Sequence, residues 1–269
     1  MRKLLVLVVS FLFIFEFSQA QRWKLKRYEA VLGVGSTHIF GDIGGYSPGA
    51  SNWYGLKDLS IGATRPSFYL GIRYKLAEEM ALKTNFVYGR GYGSDEKGGN
   101  LIRNGSFSTS IYELSVQYEY YILREERKLK SSAVFNRKGM INNYAKTSFY
   151  AYGGTGLLFV SPEITIDPRN ELADISNYKY NSSNDLTANS LTISGMVSIG
   201  LGVKYVINSN ILIGFELGPR YALTDYVDGF SNAKSSKFND FYYFGVASLC
   251  YKVRSDRNGK PILKGMFKF

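Results

Sequence analysis

The sequence predicts an all-β protein, an eight-stranded antiparallel up-and-down transmembrane β-barrel of the outer-membrane type with long outer loops. Three observations carry this prediction. Eight segments of 11 to 17 residues alternate apolar and polar or small side chains with period two, and each exceeds or matches the roughly 9 to 11 residues of a tilted membrane strand. The composition of the 269 residues, with 22 Tyr, 18 Phe and 28 Gly against 6 Pro, favours strands. Finally, the chain opens with an export signal, and nothing after it approaches the roughly 18 consecutive apolar residues of a membrane helix.

Residues 1–20 read as a signal peptide. Arg2 and Lys3 precede an apolar run over 4–15, and Ser18-Gln19-Ala20 has the small-x-small form of a cleavage site. The expected barrel occupies 21–253, interrupted by an insertion at 124–146 and followed by a basic tail at 254–269. Its strands fall at 28–40, 66–76, 80–92, 107–123, 147–159, 191–207, 211–224 and 241–251.

The alternation assigns faces. In the second strand Phe68, Leu70, Ile72 and Tyr74 oppose Ser67, Tyr69, Gly71, Arg73 and Lys75. The fourth sets Tyr112, Leu114, Val116, Tyr118 and Tyr120 against Glu113, Ser115, Gln117 and Glu119, and the sixth and seventh repeat the pattern around Lys204, Glu216 and Arg220. One face meets lipid. The other collects Glu29, Arg73, Lys75, Lys83, Glu113, Glu119, Lys204, Glu216 and Arg220 together with many glycines. An eight-stranded barrel is only wide enough to be filled by side chains, and enclosed charges must pair. The expected lumen is a salt-bridged plug, not an open pore. A soluble sandwich or lipocalin-like barrel has the same period with the apolar face turned inward, and composition does not separate the two.

Loop length sets the topology. Long outer loops are expected at 41–65, 93–106, 160–190 and 225–240, and short inner connections at 77–79 and 208–210, with 124–146 as the long exception. Of the formal charge of +11, the four outer loops hold a net −4 and the inner segments a net +12. Such a basic surface suits anionic lipid headgroups or an acidic protein. Export argues against nucleic acid, and no nucleic-acid motif accompanies the charge. The expected docking surface for a periplasmic partner consists of Arg124, Arg127, Lys128, Lys130, Arg137 and Lys138 in the insertion, with Arg254, Arg257, Lys260 and Lys264 in the tail.

Catalytic and metal motifs are weak. One His and one Cys, Cys250, leave little for zinc chemistry and nothing for an internal disulfide. His38 stands two residues after Ser36 and near Asp42, a pairing that a lipid-modifying barrel would use, yet no nucleophile motif surrounds it. Gly33-Val34-Gly35 and Gly89-Arg90-Gly91-Tyr92-Gly93 lack phosphate-loop spacing. Glu163, Asp167, Glu171 and Asp174 lack calcium-loop spacing. The expectation is a non-enzymatic protein without a cofactor. A surface adhesion or ligand-binding role through the outer loops, including Trp53-Tyr54, is the alternative.

Several motifs resemble those of a known family. They are Gly41-Asp42-Ile43-Gly44-Gly45, Leu56-Lys57-Asp58-Leu59, Ala63-Thr64-Arg65-Pro66, Tyr88-Gly89-Arg90, Ser110-Ile111-Tyr112-Glu113-Leu114 and Tyr118-Glu119-Tyr120, then Phe135-Asn136-Arg137-Lys138-Gly139-Met140 and Tyr150-Ala151-Tyr152-Gly153-Gly154. Together they resemble the PorG-like outer-membrane β-barrel family of Bacteroidota, densely over 28–121 and by strand pattern beyond 160. The resemblance implies an outer-membrane component of the type IX secretion system, lipid-embedded and associated with a periplasmic ring of the PorK and PorN kind. It implies no catalytic residues.

Overall fold

In the computed structural model the described residues are 25–44, 61–97, 102–125, 134–136, 139–141, 145–169, 185–188, 190–232, 239–256 and 260–262. The expected signal peptide at 1–20 lies outside them. The strands are β1 (Tyr28–Phe40), β2 (Arg65–Lys75), β3 (Met80–Ser94), β4 (Gly105–Leu123), β5 (Val134–Asn136), β6 (Gly139–Ile141), β7 (Thr147–Ile166), β8 (Asp185–Thr187), β9 (Thr192–Val206), β10 (Ile211–Ala222), β11 (Phe230–Asn232) and β12 (Phe241–Val253). Eight of them close a barrel in the order β1-β2-β3-β4-β7-β9-β10-β12, and β12 returns to β1 with Tyr28 opposite Val253. Every barrel ladder is antiparallel, and all but the β1–β12 closure join barrel strands adjacent along the chain. This is the predicted up-and-down barrel. Closure pairs every barrel strand on both sides, which lets backbone polar groups cross lipid satisfied.

The faces sort as the alternation requires. Outward side chains stay exposed, such as Phe68 at 57% and Leu201 at 65%, while inward Arg73, Lys83, Glu113, Glu119 and Lys204 have no accessible surface. An exterior of Leu, Ile, Val and Phe around a charged interior inverts the soluble arrangement and excludes the lipocalin-like alternative. Aromatic side chains ring the exterior at two levels. Phe40, Tyr88, Tyr112, Tyr221, Phe241 and Tyr243 lie toward one end, and Tyr28, Tyr74, Tyr118, Tyr120, Tyr205 and Tyr251 toward the other. Cross-strand ring pairs tie these belts together, with Tyr88 and Tyr112 at 5.0 Å, Phe40 and Tyr243 at 5.2 Å, and Tyr28 and Tyr74 at 5.0 Å. At ~3.3 Å per residue and a tilt of ~40°, the eight steps between Tyr112 and Tyr120 rise ~20 Å, close to the ~25 Å apolar band of such barrels.

At the end opposite the tight turns, three strands run two or more residues farther than the alternation suggests. β3 reaches Ser94, β4 begins at Gly105, and β7 continues to Ile166, seven residues past the expected end. Here the ladder pairs Ser106 with Thr165 and Ser108 with Glu163. Their outward face is polar, so the apolar signal stops at the membrane boundary while hydrogen bonding does not. β8 and β11 pair with each other within two long loops at this end, and β5 and β6 form a small hairpin inside 124–146.

Candidate functional site

The inner half of the lumen is an ionic network. Arg73 on β2 donates to Glu29 and to Glu119, each at 2.7 Å, and to Glu216 at 3.3 Å. Lys83 on β3 donates to both Glu216 oxygens at 2.6 and 2.7 Å and lies 3.1 Å from Glu119. Lys204 reaches Glu29 at 3.1 Å, and Arg220 donates to Glu113 at 2.9 Å. Tyrosine hydroxyls fill remaining acceptor positions: Tyr121 on Glu119 at 2.8 Å, Tyr150 on Glu216 at 2.6 Å and Tyr242 on Glu113 at 3.2 Å. All nine residues that the face pattern assigned to the lumen are buried and joined in this way.

Two further charged residues enter from just beyond the expected ends of their strands. Glu125, just past β4, pairs with Lys75 and, at 2.9 Å, with Lys252. Lys252 belongs to β12 and is 2% exposed. Burial pushes the Glu125 carboxyl up, but Lys75, Lys204 and Lys252 outweigh it and hold it at about 2. The signal available in the sequence was parity, because Lys252 continues the inward set Ser248 and Cys250 of its strand. With these two, six cations face five carboxylates.

Toward the other end the lumen gains a buried apolar cluster. Phe107, Ile111, Leu158, Val160, Met196 and Phe244 form one buried cluster with Ile43, Val227 and Phe230 of the overlying loops. Three carboxylates fasten those loops as a lid. Asp95 accepts from Arg103 at 2.6 and 2.9 Å, from Gly44 N at 3.0 Å and from Gly105 N at 3.1 Å. Burial works against the Arg103 charge, yet its hydrogen bond and attraction to Asp95 raise its pKa. Asp228 accepts from Ile43 N at 3.0 Å and Phe230 N at 2.9 Å, while Asp240 accepts from Val227 N at 2.8 Å. Burial is the main reason that Asp228 rises to about 7, with Asp42 adding repulsion against the backbone donors. Asp240 is raised well above its usual range by burial and then by the Asp228 charge. Gly229, at φ +77°, turns the lid chain beneath Pro162, where an added Cβ would lie 2.7 Å from the proline Cβ.

The two ends differ in charge. Described segments between barrel strands at the end bearing the tight turns contain Lys26, Arg27, Arg124, Lys146, Arg254 and Lys260 against Glu78, Glu79, Glu125 and Asp256. The corresponding lid-end segments contain eight acids and three cations. Of the expected docking residues, Arg254 and Lys260 are exposed, and Arg124 is engaged with Glu78 at 2.6 Å and Glu79 at 3.4 Å. Arg127, Lys128, Lys130, Arg137, Lys138, Arg257 and Lys264 lie outside the described residues. The tail is tied to the rim: Ser255 N donates to Leu25 O and Ile262 N to Arg254 O, each at 2.8 Å. His38 is 6% exposed and meets Phe40 edge-on at 4.5 Å. Among the described residues no group of three His, Cys, Asp or Glu side chains is placed to hold a metal.

Residues 168–255, about a third of the chain, match a family described as a domain of unknown function, DUF6089. No curated protein matches the chain. Similar solved structures include Neisserial surface protein A, with 12% identity over 84% of this chain and 96% of that one at a TM-score of 0.42. Ail, the attachment invasion locus protein of Yersinia pestis, has 10% identity over 84% and 97% at 0.39. A major outer membrane protein of Thermus thermophilus has 12% identity over 83% and 98% at 0.39.

Proposed function

We propose that this chain is a non-enzymatic barrel of the bacterial outer membrane, delivered by the signal peptide at 1–20, whose basic inner end docks a periplasmic protein of a secretion or envelope complex. One observation carries the reading: a paired ionic network and a buried apolar cluster close the lumen, so no open channel claims the barrel, and the ends remain as working surfaces. The end with tight turns and both edges of the β1–β12 seam corresponds to the periplasmic side of such barrels, and it is the basic one. The PorG-like motifs narrow the partner to a ring of the PorK and PorN kind in a type IX secretion system.

The test is charge reversal at the exposed positions, Arg254→Glu with Lys260→Glu. In cells that possess the ring, the reading expects the unaltered barrel to co-purify with it in low salt and the variant to lose it, since contacts between exposed charges are screened. Equal recovery of the ring with both proteins, at low and high salt, counts against docking through this face.

The ordered lid supports a second reading, adhesion or ligand binding at the outer surface through β8, β11 and their flanking loops. Loop deletions at 185–188 and 230–232 that leave surface binding unchanged would remove it.

A further inference from the structure

The lumen between the ionic network and the lid mixes apolar and polar side chains. Leu158, Val160, Met196, Phe244 and Val246 of β7, β9 and β12 are apolar, as are Val87, Phe107 and Ile111 of β3 and β4, while Ser198 of β9 accepts from the Gln117 amide at 3.4 Å. The strands β1 to β4 also present Thr37, Ser67, Tyr69, Asn85, Thr109 and Gln117, all at most 4% exposed. Seven side-chain atoms of this polar set have no protein hydrogen-bond partner: Thr37 Oγ1, Ser67 Oγ, Tyr69 OH, both terminal atoms of Asn85, Thr109 Oγ1 and Gln117 Oε1. A buried hydroxyl or amide left without a partner costs about 1–3 kcal/mol, and proteins rarely tolerate it. Seven on four adjacent strands form a coherent stripe.

The positions also run in sequence along the barrel. Thr37 and Thr109 stand highest, where Ile39 and Thr109 flank Gly91 just below the lid. Ser67 and Tyr69 follow on β2. The Asn85 amide oxygen and the Tyr69 ring share the space over Gly71, where an added Cβ would sit 2.8 Å from Asn85 Oδ1 and 3.3 Å from Tyr69 Cε1. Gln117 is lowest and pairs across the ladder with Lys83, the lysine held by Glu216 and Glu119.

From this arrangement we infer that the barrel binds a file of internal water along the β1–β4 wall, reaching from beneath the lid to the ionic network. The ligand chemistry follows from the lining. Hydroxyl and amide groups offer donors and acceptors together, which water matches and a metal cation does not, and Lys83 and Arg220 nearby repel a cation. At about three hydrogen bonds per buried water, seven atoms call for two or three molecules. The file gives solvent a route to Lys83 without opening an ion pathway, because the network beneath it stays paired.

Water magnetic relaxation dispersion on the refolded full-length barrel in lipid nanodiscs tests this by counting long-lived internal waters. The unaltered protein is expected to hold at least two, Tyr69→Phe to lose one, and Asn85→Leu to lose one or more, with the melting midpoint unchanged or lower in each variant. Tyr69→Phe removes one oxygen and keeps the ring, so it covers the case in which Asn85→Leu does not fold. Absence of long-lived water in the unaltered barrel overturns the inference. So does a rise in midpoint in either variant, since removal of an unpartnered buried group relieves strain and removal of a hydrated one does not.

Discussion

Replacing Arg73 by methionine removes the cation on which three glutamates converge. Its guanidinium, without accessible surface, contacts Glu29 and Glu119 at 2.7 Å and Glu216 at 3.3 Å. Glu29 keeps Lys204 at 3.1 Å and Lys75 at 3.4 Å, and Glu119 and Glu216 keep Lys83. No carboxylate is therefore left wholly unpaired, but three lysines must then offset what four cations did. Removing one partner of a buried pair costs about 3–5 kcal/mol. At about 2–4 °C per kcal/mol for a chain near this size, the melting midpoint should fall by about 6–20 °C. Heat-modifiable migration in detergent gels, followed as a function of temperature, reads that midpoint. Arg73→Met with Glu119→Gln should recover part of the loss, since it removes the carboxylate paired to the Arg73 Nε. A single variant whose midpoint stays within about 2 °C of the unaltered protein would show that these ion pairs do not hold the barrel closed.

The lid should respond to pH. Asp228 and Asp240 keep their protons to higher pH when buried than in the unfolded chain, so lid closure is most stable in acid and weakens as pH rises from about 4 through about 7. Hydrogen exchange at Ile43, Val227 and Phe230, corrected for intrinsic rates, should report more opening at pH 8 than at pH 5, and Asp228→Asn with Asp240→Asn should flatten the dependence. Gly229→Val places a branched side chain at φ +77° against Pro162, and about 1–3 kcal/mol of strain should appear as faster lid exchange while the barrel midpoint stays put. In planar bilayers the protein should give no steady conductance steps at neutral pH, because the network and the apolar cluster fill the lumen; reproducible open channels would contradict a sealed barrel.

Period two made the barrel readable, because a strand with lipid on one side and a crowded lumen on the other admits few exceptions. Arg73, Lys83, Glu119 and Glu216 could be placed inward by parity alone. Parity did not reveal which carboxylate each cation meets, since that depends on shear around the closed sheet, and it did not bring Glu125 from a connecting segment up to Lys75. The extension of β7 to Ile166 was hidden because Ser161, Glu163 and Thr165 face water and break the apolar alternation. The lid was hidden for a different reason: Asp95, Asp228 and Asp240 act through backbone N–H groups of distant loops, and sequence spacing does not encode those partners. The polar stripe on β1–β4 depends on which inward hydroxyls and amides find a partner across the closed lumen, and sequence spacing does not encode that.

Site-specific photo-crosslinking in living cells, from positions 254 and 260 on the exposed inner rim, tests the central claim most directly. The account predicts crosslinks from both positions to one periplasmic ring protein, with yield falling as ionic strength rises and no such product from position 108 at the opposite end. Crosslinks to lipid alone, from both rim positions and at every salt concentration, would contradict it.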